Sequence, residues 1–284
     1  MNPAIQSMLA RYKPAGLHEE ERALKEIIHE VALLGLWRAK FFEHAAFYGG
    51  TALRIFHGLN RFSEDLDFSL TAQQSNFTLS SYLNAVKLEL QSYGFDVSVE
   101  KKVKSQNTAI ESAFIKGNTQ IHLIQVGSKT KTQRDRQLKI KLEVDTDPPP
   151  GASTEARQLF LPIPFSVKMY DLPSLFAGKL HAALCRKRVY NVKGRDWYDF
   201  LWYVGRGVSP NITHLEMRMR QSEHYTSQEP LTLPLLKSLL TEKLNEMDLE
   251  ALKTDIAPFI TNPSDLDGWN RDLFQAAIAR LAER

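Results

Sequence analysis

The sequence contains a single cysteine, Cys185. That excludes an intrachain disulfide and any thiolate-rich zinc cluster, and it makes a reducing cytoplasm the expected setting. Cys185 lies in a helical pattern and reads as a small packing residue rather than a nucleophile. Long apolar runs are missing too, so no segment is expected to span a bilayer. The first residues lack the charged start and apolar core of a signal peptide. Neither sign of charge dominates: 36 Lys and Arg face 33 Asp and Glu, a net charge of +3. That balance neither demands nor excludes nucleic acid. Internal repeats and low-complexity tracts are absent as well. With 43% hydrophobic and 24% charged residues over 284 positions, the chain has a globular composition and length enough for one large domain or two small ones.

Charge is distributed unevenly along the chain. Lys101, Lys102 and Lys104 form one basic cluster, and Lys129, Lys131, Arg134, Arg136, Lys139 and Lys141 form a second. A third comprises Arg186, Lys187, Arg188, Lys193 and Arg195. Local basic surface of this kind attracts phosphate-rich partners even when the total is near neutral. Scattered solvated lysines explain the first two clusters equally well.

Hydrophobic periodicity predicts a long amphipathic helix from Glu19 to Arg38 and a short one over Thr51–His57. Another is expected over Ser80–Tyr93, closed by Gly94. Strands are expected at Glu64–Leu70, Phe95–Val103, Ala109–Ile115, Gln120–Val126 and Leu138–Val144, with Lys116-Gly117-Asn118 as a hairpin turn. Asp147-Pro148-Pro149-Pro150-Gly151 stops the last of these. Phe160–Tyr170 reads as extended around Pro162 and Pro164, and the chain from Asp171 onward reads as helical. The expected fold class is α+β and bilobed. A mixed sheet flanked by helices occupies residues 1–165, and a helical domain occupies 166–284.

The chemistry concentrates in Phe47-Tyr48-Gly49-Gly50-Thr51 and Arg61-Phe62-Ser63-Glu64-Asp65-Leu66-Asp67. A small-residue turn opening a helix lets backbone N–H groups approach a phosphate. On a strand, Asp65 and Asp67 project from one face and can share a divalent cation. Alternating acids on a solvated edge look the same in isolation. Glu143, on the polar face of another strand with Asp145, offers a third carboxylate, and either of the two fits. Oxygen donors with room for water and phosphates point to Mg²⁺ or Mn²⁺. Lys179 falls inside the apolar stripe of Leu172, Leu175, Phe176, Ala182 and Ala183. Its ammonium either reaches past that stripe to solvent or holds triphosphate oxygens in a cleft. Arg195 and Asp199 are spaced as an i,i+4 pair, and Asp196 suits the first turn of a helix. His44, His57 and His181 show no metal-like spacing.

Gly49-Gly50-Thr51 followed by Arg61-x-Ser63-x-Asp65-x-Asp67 resembles the first motif of DNA polymerase β-like nucleotidyltransferases. With Lys179-Leu180-x-Ala182-Ala183, Arg195-Asp196-x-Tyr198-Asp199 and Leu252-x-x-Asp255-Ile256-x-Pro258-Phe259, nearly the whole chain resembles the AbiEii/AbiGii toxin family. That family is the toxin side of bacterial type IV toxin–antitoxin and abortive-infection systems and includes the MenT toxins. The resemblance implies a nucleotidyltransferase that draws on a nucleoside triphosphate and modifies RNA, in particular a tRNA 3′ end, with a cognate antitoxin protein as partner. It implies nucleotide contacts at Gly49, Gly50, Thr51, Arg61, Ser63 and Lys179. It also implies metal ligation by Asp65, Asp67 and Glu143, and a catalytic set of Asp65, Asp67, Lys179 and Asp196 that Asp199 could complete in place of Asp196. The alternatives are transfer to a protein or small molecule, and a nucleotide- or RNA-binding module without catalysis.

Overall fold

A computed structural model of the chain describes residues 2–74, 76–101, 119–127, 137–186 and 193–282, with backbone alone over 97–139. The expected strand at 109–115, its hairpin turn at 116–118, and most of the first two basic clusters lie outside the described residues or side chains.

Two N-terminal helices, α1 (Pro3–Ala10) and α2 (Leu17–Arg38), precede strand β1 (Ala45–Tyr48). Helix α3 (Gly49–His57), strand β2 (Asp65–Leu70) and helix α4 (Ser80–Ser92) follow. Strands β3 (Asp96–Lys101), β4 (Thr119–Gly127), β5 (Gln137–Asp145), β6 (Thr154–Leu159) and β7 (Phe165–Tyr170) complete one seven-stranded sheet in the order β3-β4-β5-β2-β1-β7-β6. It is mixed. β2 runs parallel to β5 and β1 parallel to β7, while the β1–β2, β3–β4, β4–β5 and β6–β7 pairs are antiparallel. The helical half comprises α5 (Leu172–Cys185), α6 (Gly194–Gly205), α7 (Ile212–Gln221), α8 (Leu233–Glu246), α9 (Leu249–Ile256) and α10 (Arg271–Arg280).

The two faces of the sheet differ because side chains alternate along each strand. Leu66, Phe68 and Leu70 of β2, Phe47 of β1, and Leu142 and Val144 of β5 are buried on one face. Phe41 meets the edge of Phe68 there at 4.9 Å between ring centres, and helix α2 packs along that side against α4. The opposite face carries Tyr48, Asp65, Asp67, Ser69, Glu143 and Asp145, brought together by the pairings Tyr48↔Asp67, Asp67↔Glu143 and Ser69↔Asp145. The helical half packs across this polar face, and one continuous apolar core joins the two halves, including Phe176 stacked on Tyr203 at 4.3 Å.

Strand β6 is not expected from its sequence. Thr154-Glu155-Ala156-Arg157-Gln158-Leu159 alternates between exposed and half-buried positions, as an edge strand does, and so lacks an apolar signal. The last sheet strand, β7, runs to Tyr170, so the chain leaves the sheet at Asp171. The Asp171 side chain caps α5 by accepting from Ser174 N–H at 2.9 Å. No helix among the described residues is long and apolar enough to cross a membrane.

Candidate active site

The site forms where β1 ends and β2 begins. Gly49 has φ +85°, a left-handed conformation open to glycine at little cost, and a Cβ there would collide with the carboxylate of Asp67. The next position is as tight: a Cβ on Gly50 would lie 2.8 Å from Arg61 Nη2 and 2.9 Å from Ser63 Oγ. The turn therefore packs directly against both the carboxylate strand and the Arg61–Ser63 loop. This close approach is the physical reason for two glycines in succession.

Two residues expected to contact the nucleotide have partners within the protein. The Thr51 hydroxyl is buried and donates to the Asp65 carbonyl, so it ties α3 to β2. Arg61 is 2% exposed and its fork is fully engaged. Nε and Nη2 each donate to Asp199 at 2.6 Å, and Nη1 donates to the Phe62 carbonyl at 2.9 Å. It supports the glycine turn from behind. Ser63 remains half-buried beside Gly50.

Asp65 and Asp67 do share the polar face, and the register places Glu143, not Asp145, opposite Asp67. Burial raises the Asp67 carboxyl to about 7, with Glu143 and Asp65 adding to the rise and Lys179 and Lys141 opposing it. Asp65 is raised as well, by burial first; Lys141 opposes, Glu143 and Glu64 add, and Arg195 opposes. Glu143 pairs with Lys141, whose proton is held more tightly: burial works against that, but the Glu143 hydrogen bond and charge outweigh it. Asp145 is a step away, beside Ser69, and accepts from Asp147 N–H at 3.0 Å.

All these donors are hard oxygens and their charges repel one another, which fits a divalent cation better than any softer metal. Among the described residues no group of three or more His, Cys, Asp or Glu side chains converges on one point. Mg²⁺ does not require one, since it takes one or two carboxylates and completes its shell with water and substrate phosphates.

Lys179 projects from α5 toward this face. Its Nζ lies 2.8 Å from Asp199 Oδ2 and 3.6 Å from Asp196 Oδ1, and its charge is felt at Asp67. Asp196 also pairs with Arg186 Nε at 3.1 Å. Both aspartates of α6 are buried, at 3% and 0% exposure. The expected Arg195–Asp199 pair is not formed. Asp199 is held by Arg61 and Lys179, and Arg195 lies over the Phe259 ring at 4.1 Å. Burial alone would raise the Asp199 carboxyl, but those two cations and their hydrogen bonds keep it below its usual range.

Arg218 of α7 joins the site without any signal in the sequence. Its guanidinium lies 6.0 Å from the centre of the Tyr48 ring and close to Asp145 and Tyr170. Nε and Nη1 are buried and donate to no acceptor among the described residues. Nothing in Met217-Arg218-Met219-Arg220 sets it apart from Arg220, which closes on Glu216 at 2.8 Å; only the packing of α7 over Tyr48 does.

The family model described as nucleotidyl transferase AbiEii toxin, type IV toxin–antitoxin system, matches residues 31–280. The chain belongs to this family. As an AbiEii protein it is a nucleotidyltransferase, and the matched region contains every residue of the site just described. Its fold is similar to that of JHP933 from Helicobacter pylori, at 18% identity and a TM-score of 0.53, covering 92% of this chain and 91% of that one. It is also similar to a structure described as that of an H. pylori nucleotidyltransferase, at 18% identity and a TM-score of 0.50, covering 89% and 90% of the two chains. At that identity the likeness concerns the fold. No curated protein sequence matches the chain.

Proposed function

We propose that this AbiEii protein transfers a nucleotidyl group from a nucleoside triphosphate to an RNA acceptor, with a tRNA 3′ end as the target and a cognate antitoxin protein as its regulator. The observation that carries the reading is the packing of the Gly49–Gly50 turn against Asp67, on a face shared with Asp65 and Glu143 and overlooked by Lys179. A glycine turn, paired acids and a lysine on one face support that reading.

In this reading the backbone of Gly49 and Gly50, with the Ser63 hydroxyl, receives the triphosphate. Asp65 and Asp67 would hold Mg²⁺ or Mn²⁺, with Glu143 as the neighbouring third acid; the ion when bound supplies charge neutralisation at the reacting phosphate. Lys179 offsets negative charge on the departing pyrophosphate, and Asp199 and Asp196 fix its direction. An acceptor hydroxyl oxygen bonds to the α-phosphorus, the bond from that phosphorus to the bridging oxygen breaks with its electron pair leaving on pyrophosphate, and the hydroxyl proton passes to solvent. Positioning and fixed charge supply most of the catalysis in such transfers.

Incubating the protein with α-labelled nucleoside triphosphates, Mg²⁺ and total RNA should place label on RNA. Asp65→Asn should abolish it. Label on a polypeptide or metabolite with RNA unlabelled would move the acceptor to another class, and no transfer to any acceptor would remove the catalytic reading altogether.

A further inference from the structure

Helix α6 begins Gly194-Arg195-Asp196, and the two charged side chains part company. Asp196 turns inward to Lys179 and Arg186. Arg195 turns outward onto the Phe259 ring, makes no ion pair or hydrogen bond with the described residues, and is close enough to Asp65 to oppose the rise of that carboxyl. Lys193 stands beside it, half-buried and without a carboxylate within ion-pair distance among the described residues. Three cations, Arg186, Lys193 and Arg195, therefore meet at the rim of the cleft. Among the described residues, only Arg186 of the three has a carboxylate partner.

The same surface continues away from the site. The Phe259 carbonyl accepts from Phe62 N–H at 2.7 Å, and the Pro258 carbonyl accepts from Arg22. Arg22 lies 4.4 Å from the centre of the Phe62 ring, and Arg54 lies 5.0 Å from it. Of the acids nearby, Glu64 is paired with Lys25 and Glu26 with Arg54. Arg22, like Arg195, has no carboxylate of its own among the described residues.

We propose that this strip, from Arg195 and Phe259 at the cleft mouth to Arg22 and Phe62 outside it, is the surface that binds the phosphodiester backbone of a single-stranded RNA acceptor. The proposal rests on the nucleotidyl-transfer reading above. A free triphosphate carries its charge in one place and needs cations inside the cleft. Uncompensated cations in a row leading out of the cleft match a ligand with charges at intervals, namely a polynucleotide. Arginines laid on aromatic rings present flat, poorly hydrated guanidinium faces, which suit both phosphates and unstacked bases.

The test uses the full chain and two binding measurements: fluorescence anisotropy with a labelled single-stranded RNA of about 12 nucleotides, read at several salt concentrations, and calorimetry with a nucleoside triphosphate and Mg²⁺. Arg195→Gln and Arg22→Gln should each weaken RNA binding by roughly threefold to tenfold and reduce the salt slope by about one contact. Triphosphate affinity should not change. Arg195→Lys should restore much of the RNA affinity, and Lys40→Gln, at an unrelated exposed position, should have no effect. RNA affinity and slope unchanged in both Arg195→Gln and Arg22→Gln, or a loss confined to the triphosphate, would overturn the proposal. A protein that binds triphosphate but no RNA would also overturn it while leaving nucleotidyl transfer standing. Asp65→Asn separates the two claims: transfer that survives this substitution defeats the reading of the site, whereas RNA binding that survives it is what the strip predicts.

Discussion

Asp199 is fully buried between two cations, and its role differs from that of a surface acid. Arg61 meets it with a bidentate fork and Lys179 with a single ammonium contact. Removing one member of such a set leaves an uncompensated charge in the interior, which costs about 3–5 kcal/mol. Asp199→Asn should therefore lower stability by that order in urea unfolding, and Arg61→Met combined with Asp199→Leu should recover part of it. A single substitution costing under about 1 kcal/mol would mean that the pair is solvated. The glycine turn gives a second expectation. Gly49→Ala adds a Cβ where φ is +85° and where the Asp67 carboxylate already sits. It should cost about 1–3 kcal/mol and reduce transfer far more than stability, measured as kcat on folded protein.

Individual elements are held in place by histidines that stay neutral. On α2, His29 Nε2 lies 3.2 Å from the Glu64 carbonyl, so this helix braces the residue before Asp65 from the opposite side of the sheet. Burial lowers the His29 pKa to about 4, the Glu64 contact opposing and Lys25 adding. On α5, burial and then Arg218 lower His181 to about 3. A histidine with a depressed folded-state value binds its proton more readily when unfolded. Its contribution is complete above the ordinary value of 6.5 and is lost as pH falls from there toward 4 and 3. Each is worth on the order of a few kcal/mol. The raised Asp67 carboxyl contributes in the opposite sense over the same range, so the histidine effect is read by difference. Between pH 6.5 and 4 the slope of the urea midpoint against pH should be less positive in His29→Gln than in the parent protein. An unchanged slope would show that His29 is not buried neutral.

For the molecule as a whole, the two halves are joined by a shared apolar core and by the Arg61–Asp199 and Lys179–Asp199 contacts. Neither half can separate without exposing that core and a buried charge. Unfolding should be a single transition. Three of the four tryptophans, Trp197, Trp202 and Trp269, lie in the helical half, so their fluorescence should follow the far-ultraviolet signal of both halves. Separate midpoints would show that the halves are independent. The strip proposed above from Arg195 and Phe259 to Arg22 and Phe62 draws on both halves, since Phe62 N–H bonds back to the Phe259 carbonyl.

The carboxylate pair, the glycine turn and most helices were legible because each is a local pattern. Alternation along β2 puts Asp65 and Asp67 on one face whatever surrounds them, and Gly49-Gly50 announces a turn that larger residues cannot make. Lys179 stood out as a cation inside an apolar stripe. Strand β6 did not, since an edge strand need not be apolar. The preference for Glu143 over Asp145 depends on the register of β5 against β2, and register is set by the partner strand, not by either sequence alone. The roles of Arg61, Thr51 and Asp199 depend on partners distant in the chain, and a buried arginine is written with the same letter as a solvated one. Arg218 became part of the site only because α7 packs over Tyr48. Local periodicity comes from bond geometry and burial of one face, so it can be read residue by residue; charge pairing in an interior comes from which surfaces meet, and the folded chain alone sets that.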